Sequence, residues 1–172
     1  LEELQEAAEF ALNHKLRVMV LGEGSNIVLA DNLPGLVIQN RIPGVIHDAE
    51  IVHAAGGENW HSLVRSTVRS GLFGLENLAL IPGTVGAAPV QNIGAYGVEL
   101  SDRLLSLKAL HIPTLEQNTF NNTECQFAYR DSLFKKNDEW VITAFSYTQL
   151  TLLKNREVLI SGLVRSITKI RI

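Results

Sequence analysis

The amino-acid sequence predicts an α+β fold built from two closely packed lobes. Short apolar runs with strand character recur along the 172 residues, and glycine-rich segments rather than long helices separate them. Helical spacing of apolar residues is confined to a few places, chiefly the beginning and the end of the chain. We expect an N-terminal lobe over residues 1–46 and a second lobe over residues 47–172, joined near residues 41–50.

Residues 1–40 predict a helix, three strands and two connecting turns. Leucine and alanine residues recur at helical spacing from Leu1 to Leu12, with glutamates between them. A buried strand is predicted at residues 17–21, and residues 27–29 and 36–38 have the apolar character of two further strands. The turn before the last strand contains an Asn, a Pro and a Gly, which favour turns.

The remaining elements are predicted by the same patterns, on either side of a long segment without a period. Asn59 is placed to cap a helix that carries Trp60 into the core, and Gly71 is placed to end it. Residues 74–97 follow neither the helical nor the strand period. The other predicted elements are strands at residues 51–55, 104–112 and 140–147 and a closing helix at residues 156–172.

Composition and charge exclude several classes of protein. The formal net charge is −3 and the 15 Lys and Arg residues are scattered singly, so we expect no nucleic-acid partner. A single cysteine excludes an intramolecular disulfide, and none of the five histidines has the spacing of a metal site. No secretory signal is present and prolines interrupt the least polar stretch. We therefore expect no membrane span and a cytoplasmic location.

The first glycine-rich segment, residues 22–26, follows the predicted strand at residues 17–21. It consists of Gly22, Glu23, Gly24, Ser25 and Asn26. Glycines let the backbone approach a ligand closely, and successive N–H groups can bind phosphate oxygens. The segment is not the dinucleotide-binding fingerprint, because Ile27 stands where a third glycine is required. A tight turn between strands is the alternative interpretation.

The second glycine-rich segment, residues 82–97, contains four glycines, three alanines and two prolines but no charged residue. Such small side chains let the backbone lie against a flat ligand, while hydroxyl and amide side chains supply directional hydrogen bonds. A glycine-rich surface loop is the alternative, although such loops usually carry more charge. The candidate binding residues are Pro82, Gly83, Thr84, Gly86, Ala87, Ala88, Gln91, Asn92, Gly94, Ala95 and Tyr96.

These two segments, together with three further stretches, resemble the UDP-N-acetylenolpyruvoylglucosamine reductase family. The further stretches are residues 57–61, 74–78 and 127–132, and all of them occur in the family's order. The resemblance implies the vanillyl-alcohol-oxidase-like, PCMH-type FAD-binding fold of two interlocked lobes. It also implies that residues 22–26 bind the pyrophosphate of noncovalent FAD and that the isoalloxazine lies against residues 82–97.

The resemblance further implies a monomeric flavoenzyme of bacterial peptidoglycan synthesis, and hence of cell-wall biogenesis and cell division. In this family NADPH reduces FAD, and the reduced flavin passes hydride to UDP-N-acetylglucosamine enolpyruvate, giving UDP-N-acetylmuramate. Arg130 matches the family's catalytic arginine, whose planar cationic fork suits the carboxylate of the substrate.

Two catalytic motifs of the family, the Gly-Ser-Phe-Phe-Lys-Asn-Pro segment and a C-terminal glutamate, have no counterpart here. We therefore expect the chain to be a piece of the enzyme that lacks residues before Leu1 and the C-terminal substrate-binding domain. By itself this piece is expected to be inactive.

Other interpretations remain open at this point. A sugar oxidase of the same fold usually attaches its flavin covalently, but no histidine lies within residues 80–97. A non-catalytic flavin- or nucleotide-binding module is a second alternative. Arg130 could instead form a structural ion pair, for example with Asp131, and Tyr129 could be a core aromatic.

Overall fold

The computed structural model describes residues 1–29, 32–148 and 150–151. The predicted closing helix at residues 156–172 lies outside the described residues. The helices and strands, in chain order, are α1 (Glu2–Asn13), β1 (Val18–Leu21), β2 (Leu36–Gln39), β3 (Val45–Asp48), β4 (Ile51–Ala55), α2 (Trp60–Arg69), β5 (Leu72–Phe73), β6 (Gly94–Ala95), β7 (Val98–Glu99), β8 (Leu104–His111), β9 (Gln117–Asn121), α3 (Leu133–Lys136), β10 (Trp140–Thr148) and β11 (Leu150–Thr151). Short 3₁₀ turns lie at Glu76–Leu78, Pro89–Gln91 and Leu100–Asp102.

The N-terminal layer consists of α1 and the parallel strands β1 and β2. Helix α1 buries Leu4, Ala8 and Ala11, which lie on the face that the helical spacing predicts. Strands β1 and β2 pair with Val18 opposite Leu36, which confirms the strands predicted at residues 17–21 and 36–38.

The strand predicted at residues 27–29 is wrong. These residues have no regular secondary structure, and Val28 is 94% exposed. Because β1 and β2 are parallel, the chain between them must return to the opposite end of the pair before β2 begins. An apolar run within such a crossover cannot be distinguished from a strand by composition.

A five-stranded antiparallel sheet forms the larger layer, with the strand order β3-β4-β10-β8-β9. Its strands β4, β8 and β10 confirm the predictions at residues 51–55, 104–112 and 140–147. Strand β3 lies within the segment predicted to join the lobes, so the expected boundary at residue 46 falls inside a strand. The hairpin between β3 and β4 turns at Ala49, whose φ is 49°. Because such turns usually contain Gly or Asn, this one carries no sequence signal.

The described helices are short, and the sequence pattern does not predict all of them. Helix α3 has 4 residues, too few to show a helical period. Strand β9 is missed for a different reason, because its residues are mostly polar and exposed. None of the helices in the described ranges is long and apolar enough to cross a membrane.

Helix α2 packs on the large sheet and contributes to the main core. The side chain of Asn59 accepts a hydrogen bond from a first-turn N–H, as predicted for a cap, and Gly71 follows the helix with a φ of 75°. Trp60 is 1% exposed, which confirms its core position. Its indole Nε1 donates to the Leu78 carbonyl at 2.7 Å, and its ring stacks on Phe145.

A smaller apolar cluster joins the N-terminal layer to the large sheet. Leu4, Ala8 and Ile38 pack there against Leu110 and Val141, which belong to β8 and β10. Burying a side chain of leucine or valine size stabilises a fold by about 1.5–3 kcal/mol. The cluster therefore fixes β1 and β2, and the segments that follow them, relative to the sheet.

Candidate functional site

The main cleft has a volume of about 770 Å³ and lies between β1, β2 and the second glycine-rich segment. This size is typical of pockets for small ligands and cofactors, which enclose roughly 300–1,000 Å³. The structure thus brings together both segments that the sequence singles out. Its walls include Gly22, Glu23, Gly24, Ser25, Asn26, Pro82, Gly83, Thr84, Gly86, Ala87, Ala88, Gln91 and Arg130.

Four of the predicted binding residues, Asn92, Gly94, Ala95 and Tyr96, do not line the main cleft. The Asn92 side chain is committed to the protein, because its Nδ2 donates to Glu99 Oε2 at 2.8 Å. Gly94 and Ala95 form β6, and Tyr96 lies in the turn that follows, 78% exposed. Asn92, Gly94 and Ala95 instead line a smaller pocket that also includes Arg130, so a cofactor contact by these four residues stays a prediction.

The two glycine-rich segments approach each other closely at Gly22 and Thr84. A Cβ atom at Gly22 would lie 2.8 Å from Thr84 Oγ1, so only glycine fits there without displacement. Thr84 is 4% exposed, and its Oγ1 has no hydrogen-bond partner among the described residues. Buried hydroxyl groups are nearly always paired, so this oxygen is free to bond a ligand in the cleft.

Gly86 is required for a different reason from the one that the sequence predicts. A Cβ atom there would lie 2.9 Å from the Ile142 carbonyl oxygen and 3.0 Å from that of Gly56. The close approach at Gly86 is therefore to protein backbone. Gly24, by contrast, has a φ of 75° and open space where its Cβ would be.

Glu23 connects the first glycine-rich segment to the start of α2. Its Oε1 accepts a hydrogen bond from Asn59 Nδ2 at 2.8 Å, and the Asn59 side chain also caps the helix. A carboxylate is a poor ligand for an anion because like charges repel. The groups of this segment that could donate to an anion are instead its backbone N–H groups and the side chains of Ser25 and Asn26.

The second glycine-rich segment is held along its first half by backbone hydrogen bonds to the residues that precede α2. Trp60 N donates to Gly83 O at 3.0 Å, and Gly86 N donates to Gly56 O at 2.8 Å. Val85 N donates to the Glu58 carbonyl at 2.9 Å. These bonds fix the wall of the cleft before any ligand binds.

Arg130 lines the main cleft and lies in a tight turn over residues 128–131. The proposed ion pair with Asp131 is not formed, because Asp131 Oδ2 contacts Lys136 Nζ at 2.7 Å. The hydrogen bond from Lys136 lowers the pKa of the Asp131 carboxyl group below its ordinary value. Tyr129 is 82% exposed, so it is not a core aromatic.

The cleft also has walls that the sequence patterns do not indicate. Lys135 belongs to α3, Asp138 lies in the turn that follows, Trp140 begins β10, and Arg17 precedes β1. Arg17 Nη2 and Asp138 Oδ2 lie 3.7 Å apart in an exposed ion pair. None of these residues stands in a glycine-rich or catalytic motif, so only the place of Arg17 at the start of the predicted strand at residues 17–21 offered a signal.

Cys125 and the histidines give no second site in the part of the chain that the structure describes. Burial, with a smaller effect from Glu124, raises the pKa of the Cys125 thiol to about 12. A thiol that stays protonated is a weak nucleophile. Within the described ranges, no three His, Cys, Asp or Glu residues are arranged to hold a metal ion.

Comparison with known proteins agrees with this geometry. A family model described as FAD binding domain matches residues 1–114. The chain is 54% identical over 135 residues to the UDP-N-acetylenolpyruvoylglucosamine reductase of Cupriavidus pinatubonensis (strain JMP 134 / LMG 1197). That match covers 75% of this chain and 40% of the relative, so the chain spans less than half the relative's length.

Solved structures confirm the predicted PCMH-type FAD-binding fold. The crystal structure of UDP-N-acetylenolpyruvylglucosamine reductase from Thermus caldophilus is similar with a TM-score of 0.71 and 27% identity. It matches over 87% of this chain and 53% of that chain. The 6-hydroxy-D-nicotine oxidase from Arthrobacter nicotinovorans has a TM-score of 0.67 at 20% identity, over 86% of this chain and 34% of that chain.

Proposed function

The chain belongs to the FAD binding domain family, and on that premise we propose that it is the flavin-binding part of a UDP-N-acetylenolpyruvoylglucosamine reductase. The observation that carries the proposal is the junction of the two glycine-rich segments in one cleft. There, Gly22 lies against Thr84, whose buried hydroxyl lacks a partner among the described residues. An unpaired buried hydroxyl fits a ligand that brings a hydrogen-bonding group into the cleft.

The residues of the cleft fit the two chemical halves of FAD. The N–H groups of residues 22–26 suit the pyrophosphate, because successive backbone donors can bind phosphate oxygens. The segment has no cationic side chain that could do so instead. The small residues at positions 82–91 suit the flat isoalloxazine, which needs close backbone contact. The flavin, when bound, supplies the hydride-transfer chemistry, with NADPH as the proposed reductant.

Arg130 is the residue of this chain that we assign to the enolpyruvyl substrate. Arg130 lines the main cleft, and its guanidinium carries a permanent charge. A carboxylate that gains negative charge from the neighbouring carbon during hydride transfer is stabilised by such a planar donor pair. Arg130 therefore binds and orients the substrate and stabilises the charge that develops on it.

The proposal is tested in the complete gene product by two measurements. FAD binding, followed by quenching of flavin fluorescence, is expected to be noncovalent and saturable. Stopped-flow spectroscopy then separates reduction of the flavin by NADPH from its reoxidation by UDP-N-acetylglucosamine enolpyruvate. Arg130→Ala is expected to slow reoxidation by roughly 10²-fold, the scale of losing one oriented charge-stabilising donor.

Two results decide between a catalytic and a structural role for this arginine. Arg130→Lys should recover only part of the rate, because an ammonium cannot reproduce the two-donor fork. Reduction by NADPH should stay normal in both variants, since it does not involve the enolpyruvyl carboxylate. An Arg130→Ala variant that slows both half-reactions equally would show that the arginine is structural.

A further inference from the structure

The turn over residues 128–131 holds Arg130 in a backbone conformation that L-residues rarely adopt. Ala128 and Asp131 exchange two backbone hydrogen bonds, of 3.0 and 3.1 Å, and so close the turn. Arg130 is the third residue of the turn and has a φ of 54°. This position in type II turns requires a positive φ and favours Gly or Asn. An arginine there needs support from its surroundings.

Lys135 supplies a contact to the backbone of that residue. Its Nζ donates a hydrogen bond to the Arg130 carbonyl oxygen at 2.8 Å. The helix that carries Lys135 is anchored at its start by Ser132, whose hydroxyl donates to the Val90 carbonyl at 2.8 Å. Lys135 is therefore attached, through one short helix, to the wall of the main cleft.

The guanidinium of Arg130 is left available to a ligand because the acidic residue beside it in the turn pairs with a different cation. Asp131 is occupied by Lys136, at 2.7 Å. No hydrogen bond or ion pair of the Arg130 guanidinium is formed with the residues that the structure describes. The turn thus fixes the backbone of Arg130 and leaves its guanidinium for a ligand.

We propose that Lys135 is a positioning residue, which holds the left-handed backbone of Arg130 and so presents its guanidinium to the substrate. This inference rests on the proposed function, because it assumes that Arg130 meets the enolpyruvyl carboxylate. Lys135 acts through the Arg130 carbonyl, with which its ammonium is bonded. A lysine that bound the substrate itself would act independently of Arg130, and this difference can be measured.

A double-mutant cycle in the complete, FAD-loaded protein separates the two roles. The measured quantity is the rate at which the enolpyruvyl substrate reoxidises the flavin. Lys135→Met is expected to lower this rate by roughly tenfold, as a small displacement of an oriented group does. In the Arg130→Ala background the same substitution should cause no further loss. A tenfold loss in both backgrounds would overturn the positioning role.

Matched variants guard against a general effect of lost charge or stability. Lys135→Arg keeps a donor in reach of the Arg130 carbonyl and should recover most of the rate. Lys108→Met removes the same charge from an exposed position of β8 that does not line the main cleft, so the rate should stay within about twofold. Flavin reduction by NADPH, measured on folded protein saturated with FAD, should not change in Lys135→Met. Equal rate losses in Lys108→Met would overturn the proposal.

The result for Arg130 shows which inference has failed. If Arg130→Ala reoxidises at the normal rate, the assignment of Arg130 under the proposed function is wrong. If Arg130→Ala is slow while Lys135→Met is normal, the proposed function stands and only the positioning role of Lys135 is contradicted.

Discussion

The two halves of the second glycine-rich segment have the same small-residue composition but lie in different surroundings. The first half, residues 82–91, forms a wall of the main cleft. In the second half, residues 92–97, Ile93 alone lines that cleft, while Asn92 bonds both Glu99 and the Ala128 carbonyl. Small residues indicate a close approach of the backbone in both halves. They do not indicate whether a ligand or the protein itself makes that approach.

The largest effect is expected from Gly86→Val, which tests whether the first half is purely a ligand surface. A side chain at Gly86 would meet the Ile142 and Gly56 carbonyls, so the variant should lose about 3 kcal/mol of unfolding free energy. Urea unfolding of the complete protein measures this. Gly24→Ala, at an open cleft position with a φ of 75°, should lose only about 1 kcal/mol. Unchanged stability in Gly86→Val, with weaker FAD binding, would show that Gly86 faces the ligand.

Asn92→Ala tests the structural role of the second half. Asn92 is 1% exposed and donates to Glu99 and to the Ala128 carbonyl, so its loss breaks two part-buried hydrogen bonds. We expect about 2 kcal/mol of destabilisation and an unchanged FAD dissociation constant in the folded variant. Gln91→Ala is the control from the first half, and should weaken FAD binding while changing stability by less than about 0.5 kcal/mol. The opposite pattern for the pair would contradict the division between the halves.

Ala87→Leu tests the ligand surface of the first half without straining the backbone. Ala87 lines the main cleft and is exposed there, so a larger side chain occupies ligand space. The dissociation constant of FAD, measured by fluorescence titration, should rise by roughly tenfold, the cost of mild overpacking. Unfolding free energy of the FAD-free protein should not change. Normal FAD affinity in this variant would move the cofactor away from residues 82–91.

The smallest effect is expected from Tyr96→Ala, in the second half. Tyr96 is 78% exposed and does not line the main cleft, so the FAD dissociation constant should stay within about twofold of the wild-type value. The same fluorescence titration measures it. A tenfold increase would mean that the flavin extends over the second half, as the resemblance alone implied, and the contrast between the halves would fail.

Much of the fold follows from local sequence signals. The apolar spacing of α1, the cap at Asn59 and the apolar runs of β4, β8 and β10 all predict elements that the structure contains. The missed elements have weak local signals. Strand β9 is mostly polar and exposed, and the β3–β4 turn is made by Ala49 at a positive φ. Sequence patterns describe short-range preference, and these elements depend on pairing with their neighbours.

The candidate site was predictable to the extent that it is built from unusual composition. Both glycine-rich segments stand out in the sequence, and both meet in the main cleft. Glu23 shows the limit, because it stands among ligand-binding residues but its carboxylate bonds Asn59. Lys135 shows the converse, since it lines the cleft and stands in no glycine-rich segment. A residue's neighbours in the fold, and not its neighbours in sequence, decide such roles.

The sequence by itself determined the class of the fold, the position of its main helices and strands and the two segments that form a cofactor cleft. These properties follow from residue size, backbone freedom and apolar spacing, which act over a few positions. Only the tertiary structure decided which small residues line the main cleft and how Arg130 is held. Those outcomes depend on contacts such as Glu23 with Asn59 and Asn92 with Ala128, each 36 residues apart. Contacts over that separation form only when the whole chain packs, so local patterns cannot specify them.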